Sequence, residues 1–212
     1  MNKRLWISSI VVTAAATIGL LKNTGNERVL AAQHVSKVNP LPSSTTAQFT
    51  PDGKLKLPVG FRRWVFIGAP LTPNALNGGE ANFPEFHHVY VEEKNLDVYL
   101  KTGTFPEGTI LIKELTRVLK PTYPDGSRTE PSGRGYFNGE LNGIDASVKD
   151  SKRFAKTNGW GYFTFGHHPM PYAQTAAESS VSECAGCHLG NVANTDMTWV
   201  QFYPILRDKP KP

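Results

Sequence analysis

The feature that most restricts this chain is a short run near its C-terminus, Cys184-Ala185-Gly186-Cys187-His188. A C-x-x-C-H run is the attachment signal for a c-type haem. Two thiols one helical turn apart can each add to a vinyl group of the haem, and the adjacent histidine then lies under the iron as an axial ligand. Cys184 and Cys187 are the only cysteines in the 212 residues, so no other thiol competes for this role. The run therefore predicts covalently bound haem c with His188 as the iron ligand.

A C-x-x-C pair can also be a redox dithiol, half of a zinc site or a disulfide, and the sequence context favours none of these. A redox pair normally opens a helix after a strand in a thioredoxin-like domain. This pair instead follows the polar stretch Glu178-Ser179-Ser180 near the C-terminus. A structural zinc site needs four ligands, and the sequence offers no second Cys or His pair at suitable spacing.

Length, composition and charge indicate one ordinary folded domain. A chain of 212 residues can form a single domain with a substantial core, and 39% hydrophobic with 19% charged residues is typical of folded proteins. The formal charge is +5, but residues 1–32 carry +3 of it. Beyond residue 32 the basic residues are interspersed with acids, so the sequence predicts no nucleic-acid-binding surface.

Residues 1–32 are predicted to be an export signal. Lys3 and Arg4 form a positive start, and an apolar run from Leu5 to Leu21 follows. This run is short and rich in Ala, Ser and Thr for a membrane span, and an uncleaved N-terminal anchor is the alternative. In either case we expect the folded part to lie in the periplasm, where bacteria attach c-type haem. Residues 33–50 are predicted to be a flexible leader, and residues 51–208 the haem domain.

The alternation of apolar segments and turns predicts an α+β fold built mainly on antiparallel strands. Strands are predicted at 61–68, 86–91, 109–119, 136–145 (with a glycine bulge) and 160–165. Helices are predicted at 92–101 and 147–156, with a short helix or turn around Trp199, Phe202 and Tyr203; segments 71–84 and 120–135 are predicted loops. The connections are too short for the crossovers of a parallel sheet, so we expect an antiparallel sheet with helices to one side.

Lys113 is unusual because Leu111 and Leu115 flank it on the same face of the predicted strand 109–119. Burying an ammonium group without a partner is costly. The side chain can extend to water along its apolar stem, or the face can be exposed. Alternatively, a neighbour neutralises or consumes the amine, because a desolvated lysine loses its proton and becomes nucleophilic.

The position above the iron has several candidate ligands. In electron-transfer cytochromes c, a methionine or a second histidine fills it. Met170 lies in a His-His-Pro-Met-Pro turn, whereas Met197 follows His188 by only nine residues, a short loop to reach the opposite haem face. An open sixth position is also consistent with the sequence. The remaining candidates are His87, His88, His167 and His168.

From about Gln48 to Arg207 the chain resembles the cytochrome P-460 family, haem enzymes that oxidise hydroxylamine. The resemblance lies in a series of stretches in the same order along the chain: Leu57-Pro58 before Phe61-Arg62-Arg63-Trp64-Val65; Leu71-Thr72-Pro73-Asn74 and Leu76-Asn77; Lys101-Thr102-Gly103 and Gly108-Thr109; Ile112-Lys113-Glu114-Leu115; Gly135-Tyr136-Phe137; Ala146 to Ser151 and Arg153-Phe154-Ala155; the C-x-x-C-H run; and Thr195-Asp196-Met197 with Phe202-Tyr203-Pro204.

The resemblance implies roles for two further residues. The family has a lysine whose side-chain nitrogen is bonded to a haem meso carbon, and Lys113 is the matching position. It also has a distal glutamate that transfers protons during turnover, and this chain has Asp145 at that place. Aspartate keeps the carboxylate but is one methylene shorter, so its reach differs from that of the family residue.

The resemblance further implies a periplasmic homodimer that oxidises hydroxylamine to nitric oxide or nitrous oxide at a five-coordinate, lysine-cross-linked haem. A redox partner such as a soluble cytochrome c would accept the electrons. Two other functions remain open. One is a non-catalytic, nitric-oxide-binding cytochrome of the c-prime-beta type, which shares the fold but lacks the lysine link. The other is an electron-transfer cytochrome c with a strong sixth ligand such as Met170.

Overall fold

The computed structural model describes residues 47–207. The predicted export signal at residues 1–32, most of the predicted leader at 33–50, and position 208 at the end of the predicted haem domain lie outside the described residues. Within the described part, none of the helices combines the length and the apolar character that crossing a membrane requires.

Residues 47–207 contain short strands, three α-helices and several 3-10 turns. The strands are β1 (Leu55–Lys56), β2 (Val65–Gly68), β3 (Phe86–Val91), β4 (Ile110–Val118), β5 (Arg128–Glu130), β6 (Gly133–Gly135), β7 (Asn138–Lys149), β8 (Trp160–Gly166) and β9 (Thr175–Ala176). The α-helices are α1 (Glu93–Thr102), α2 (Gly186–Val192) and α3 (Pro204–Arg207).

The main sheet has the strand order β2-β3-β4-β7-β8, and every neighbouring pair in it is antiparallel. β1 pairs with β9, and β5 pairs with β6, in two small antiparallel ribbons. The prediction of an α+β fold with a mainly antiparallel sheet is confirmed.

Each face of the main sheet carries its own hydrophobic core. Ile110 and Ile112 of β4 belong to one core, and Leu111 between them belongs to the other. This follows from the two-residue period of a strand, and it explains why β4 is apolar on both sides. The second core also receives the buried residues Leu96 of α1 and Leu206 of α3, so these helices cover that face. Lys113 lies two residues beyond Leu111 and therefore points to the same, helix-covered face.

The helix predicted at residues 147–156 is wrong. Ser147 lies in β7, which continues to Lys149 and pairs with the start of β4 through Val148 and Ile110. The helix was predicted because Ser147 with Asp150 three residues later matches the pattern of a helix cap. The carboxylate of Asp150 instead accepts the backbone N–H groups of residues 152 and 153 in a turn.

Other element boundaries also differ from the prediction. The segment 61–68 begins with a 3-10 turn at Phe61–Arg63 before β2, and β7 begins at Asn138 rather than at Tyr136. The predicted loop 120–135 contains the β5–β6 hairpin, and β9 follows the strand predicted to be the last. The strands at 86–91 and 160–165 and the first helix, which Gly103 ends in a left-handed conformation at φ 79°, are confirmed.

Candidate haem site

A cavity of about 730 Å³ lies between the helix-covered face of the sheet and the C-terminal segment. Its volume falls within the range of about 300–1,000 Å³ that is usual for ligand and cofactor sites. The sheet contributes Lys113 and Asp145 to the wall, and the C-terminal segment contributes Cys184, Cys187 and His188. All five residues that the sequence singled out therefore line one cavity.

The two cysteines lie on consecutive helical turns. Ser180 and Glu183 form a reciprocal capping box that starts a wide π-helical turn at Val181–Ala185, and α2 continues from it. Cys184 is half-buried and Cys187 is exposed. Both thiols are free and border the cavity. Both are therefore available to bond to the two vinyl groups of a single haem.

His188 is oriented for coordination through Nε2. Its Nδ1 lies 2.7 Å from the carbonyl oxygen of Met197, which has no hydrogen to give, so Nδ1 carries the proton. Burial lowers the pKa of His188 despite that hydrogen bond, which keeps the ring neutral and leaves a lone pair on Nε2. The indole N–H of Trp199 donates to this Nε2 over 3.3 Å. A carbonyl that fixes the far nitrogen of the ring is the usual support of a histidine metal ligand.

The carbonyl that orients His188 is itself held by a buried charge cluster. Asp196 precedes Met197, and both adopt left-handed backbone conformations, at φ 53° and 57°. The Asp196 carboxylate accepts hydrogen bonds from Lys149 Nζ, from Trp160 Nε1 at 3.0 Å and from the backbone N–H of Phe105 at 2.7 Å. Sequence reasoning did not assign a role to Asp196. Its signal in the sequence was its place in the stretch Thr195-Asp196-Met197, one of those that carry the family resemblance.

Lys113 and Asp145 face each other across β4 and β7. They are direct partners in the strand register, and Lys113 Nζ lies 2.8 Å from Asp145 Oδ2. The ammonium group also lies 3.9 Å from the centre of the Phe83 ring, a cation–π contact. Lys113 therefore reaches the cavity with a carboxylate partner, as in the alternative in which a neighbour neutralises the amine, and it does not lie on an exposed face.

Asp145 is a strongly held anion in this arrangement. Burial by itself raises the pKa of Asp145, but the charge of Lys113 and the hydrogen bond with His167 outweigh it and lower the pKa from 3.8 to about 2. His167 Nε2 lies 2.8 Å from Asp145 Oδ1. This hydrogen bond raises the pKa of His167 above 6.5, against the opposing effect of burial.

The structure separates the other candidate ligands into two groups. His87 lines the cavity with His167, and burial lowers the pKa of His87 to about 4, so its ring is neutral. His88 bonds instead with Thr116 and Asn138, and His168 with the carbonyl of Pro169. Met170 is 57% exposed and is not among the described residues that line the cavity.

The residues present fit a haem. The cavity provides a neutral imidazole, whose Nε2 lone pair holds the Trp199 N–H only by a long 3.3 Å contact that a metal can replace, and two thiols at the spacing of an attachment run. It also includes Tyr162, whose ring lies 4.6 Å from that of His188 and whose buried hydroxyl has no hydrogen-bond partner among the described residues. Within residues 47–207 no three His, Cys, Asp or Glu side chains converge as a metal site made of protein ligands alone.

These features together define a haem-protein site on an antiparallel sheet. The family model of cytochrome P460 matches residues 58–200, which is more than half of the chain. The chain therefore belongs to the cytochrome P460 family, as the resemblance indicated. Membership implies that the protein binds haem and is a cytochrome similar to haem oxidoreductases. No individually curated protein matches the chain.

Proposed function

We propose that this protein is an exported hydroxylamine oxidase, active in the periplasm as a homodimer. In this proposal haem c is attached through Cys184 and Cys187, ligated by His188 and bonded a third time through Lys113. The observation that carries the proposal is that an amine and a carboxylate meet 2.8 Å apart on the wall of the cavity that the attachment run lines. The products would be nitric oxide or nitrous oxide, with a soluble cytochrome c as electron acceptor.

The chain's own residues would divide the work between them. The haem supplies the electron-accepting centre when it is bound. The Met197 carbonyl orients the ring of His188 through Nδ1, so that Nε2 is the nitrogen that would ligate the haem iron. Asp145 accepts protons from the substrate nitrogen, because removing electrons from that nitrogen makes its N–H groups more acidic.

The two roles of Lys113 and Asp145 depend on each other. As an ammonium, Lys113 is the charge that most lowers the pKa of Asp145, and a carboxyl group with a pKa of about 2 is a weak base. A lysine nitrogen bonded to a porphyrin carbon no longer carries that charge. Burial would then be opposed by His167 and no longer by the charge of Lys113, so the pKa of Asp145 would rise and the link would make the carboxylate a better proton acceptor.

The test compares three holoproteins by absorption spectrum, by mass spectrometry of haem peptides and by hydroxylamine oxidation. Lys113→Arg keeps a cation beside Asp145 but has no nucleophilic amine, and Lys152→Ala removes an exposed lysine. We expect the wild type and Lys152→Ala to show a third protein–porphyrin bond, a strongly red-shifted ferrous Soret band and turnover. Lys113→Arg should keep two thioethers, give an ordinary cytochrome spectrum and lose turnover. Two thioethers alone in the wild type would contradict the proposal.

The same contact between Lys113 and Asp145 is also compatible with the non-catalytic, nitric-oxide-binding alternative. Lys113 and Asp145 satisfy each other as an ion pair, and this is how a protein with an unlinked lysine would hold them. A ferrous high-spin spectrum with reversible nitric oxide binding and no turnover would support that function. A sharp six-coordinate spectrum would instead support an electron carrier, with His87 rather than Met170 as the cavity-lining candidate ligand.

A further inference from the structure

We propose that His167 is the proton outlet of the site: it takes protons from Asp145 and releases them to solvent. This inference rests on the proposed function and adds a residue to it. His167 acts through Asp145 and does not touch the substrate, so it is a relay residue.

The contacts of Asp145 give each of its oxygens a separate neighbour. Oδ2 faces Lys113 at 2.8 Å and Oδ1 faces His167 at 2.8 Å. The exposed fraction of the side chain rises along this line, from 16% for Asp145 to 42% for His167. Of the two titratable groups that contact the Asp145 oxygens, the imidazole is therefore the more exposed, at 42% against 26% for Lys113, and it is the group that best joins the buried carboxylate to water.

The reaction needs such an outlet. Oxidation of hydroxylamine to nitric oxide releases one proton for each electron removed, and the electrons leave to the soluble redox partner. A single carboxylate holds one proton and must lose it before the next oxidation step. In the relay, the proton passes from Asp145 Oδ1 to Nε2 of His167, and the imidazolium then gives a proton to water.

The charged surroundings suit this exchange. Around His167, the groups with electrostatic influence are Asp145 on β7, Lys113 on β4 and Glu85 before β3. His87 on β3 also lines the cavity but is neutral at working pH, and His168 is the adjacent histidine in the chain, bonded to the Pro169 carbonyl. The Phe83 ring packs edge-on against His167 at 6.0 Å and fixes the imidazole beside the carboxylate. The two acids, Asp145 and Glu85, favour protonation of the imidazole. The exposed edge of the ring allows it to release the proton to water.

The kinetic test uses two matched holoprotein variants. Glutamine in His167→Gln can still donate a hydrogen bond to Asp145 but cannot carry a proton. His168→Gln makes the same change at the neighbouring exposed histidine, which has no contact with Asp145. We expect His167→Gln to lower kcat for hydroxylamine by about 100-fold with little change in KM, and a buffer that does not ligate haem iron, such as phosphate, to restore the rate. His168→Gln should behave as the wild type. Equal kcat in the two variants at every buffer concentration would overturn the relay.

A second measurement does not depend on turnover. The His167 pKa can be followed by NMR of ¹⁵N-histidine-labelled holoprotein in its ferrous carbon-monoxide complex. Asp145→Asn should lower it toward the ordinary value of 6.5, whereas His168→Gln should not change it. An unchanged His167 pKa in Asp145→Asn overturns the proposal. A wild type without turnover overturns the proposed function instead, and this titration then decides alone whether the protonation of His167 is coupled to Asp145.

Discussion

Lys149 donates hydrogen bonds to both carboxylate oxygens of Asp196, at 2.7 and 2.9 Å, and both side chains are more than nine-tenths buried. Lys149 ends β7, and Asp196 lies in the loop that supplies the carbonyl partner of His188. The pair therefore ties the proposed iron ligand to the sheet that carries Asp145.

Breaking this pair should both destabilise the protein and loosen His188. Lys149→Met leaves a buried carboxylate without its cation, which costs about 3–5 kcal/mol of unfolding free energy. Denaturant unfolding of the holoprotein measures it. In the control, Lys54→Met removes a lysine whose partner Asp52 is 60% exposed, and it should cost much less, because exposed ion pairs contribute little to stability. Equal losses in the two variants would mean that Lys149 does not anchor the loop.

Gly161 should not tolerate even a methyl group. A Cβ at this position of β8 would lie 2.4 Å from ring carbons of Phe154, which is buried in the turn after β7. Overpacking of this kind typically costs about 1–3 kcal/mol, so we expect Gly161→Ala to lower the unfolding midpoint. Gly190→Ala is the control, because a Cβ in that position of α2 meets nothing within 4 Å and alanine favours the helix. A midpoint for Gly161→Ala at or above that of the control would contradict this packing.

The sequence predicts Lys113 and the attachment run because each carries a local signal. Alternation along β4 identifies the face of Lys113, and the spacing of two thiols and a histidine identifies the run. The ion pair of Lys113 with Asp145 has no local signal, because it depends on the register of β4 against β7. The false helix at 147–156 hid the last three residues of β7 and left Asp145 at the end of the predicted strand 136–145, where its partner on β4 could not be read.

His167 could be found only as one of several histidines. Its contact with Asp145 depends on a register shift between residues 144 and 145 in the pairing of β7 with β8. It also depends on Gly166, whose φ of +133° lets the chain leave β8 in a direction that L-residues rarely adopt. The register shift and the conformation of Gly166 both arise when the strands pair. The amino-acid pattern around His167 therefore does not predict them.

The Asp145 site should make stability depend on pH in protein with an unlinked Lys113, such as the Cys184→Ser/Cys187→Ser variant. The pKa of Asp145 is lowered from 3.8 to about 2, so its contribution is complete above pH 3.8 and is lost as pH falls through about 2. The shift corresponds to about 2 kcal/mol. The pKa of His167 is raised, so its contribution is complete below 6.5 and is lost as pH rises through the raised value.

The measurement is the difference in unfolding free energy between this protein and its Asp145→Asn form from pH 2 to 9. The difference should be largest between about pH 4 and 6.5, where Asp145 is ionised and His167 is protonated. It should shrink toward both ends of the range. A difference that does not change with pH would show that neither group is coupled to folding.

Tyr162 is expected to destabilise the chain when no haem is bound. Its hydroxyl is buried without a hydrogen-bond partner among the described residues, and an unpaired buried polar group costs about 1–3 kcal/mol. In the Cys184→Ser/Cys187→Ser background, Tyr162→Phe should therefore raise the unfolding free energy by about 1 kcal/mol. Tyr136→Phe is the matched control, because the Tyr136 hydroxyl donates to the Asp125 carbonyl over 2.8 Å, and its removal should lower the unfolding free energy by about the same amount. Tyr162 lines the cavity and its ring packs beside that of His188, so if bound haem supplies the hydroxyl with a partner, the gain from Tyr162→Phe should fall in the holoprotein. An equal gain with and without haem would mean that the hydroxyl plays no part in holding the cofactor.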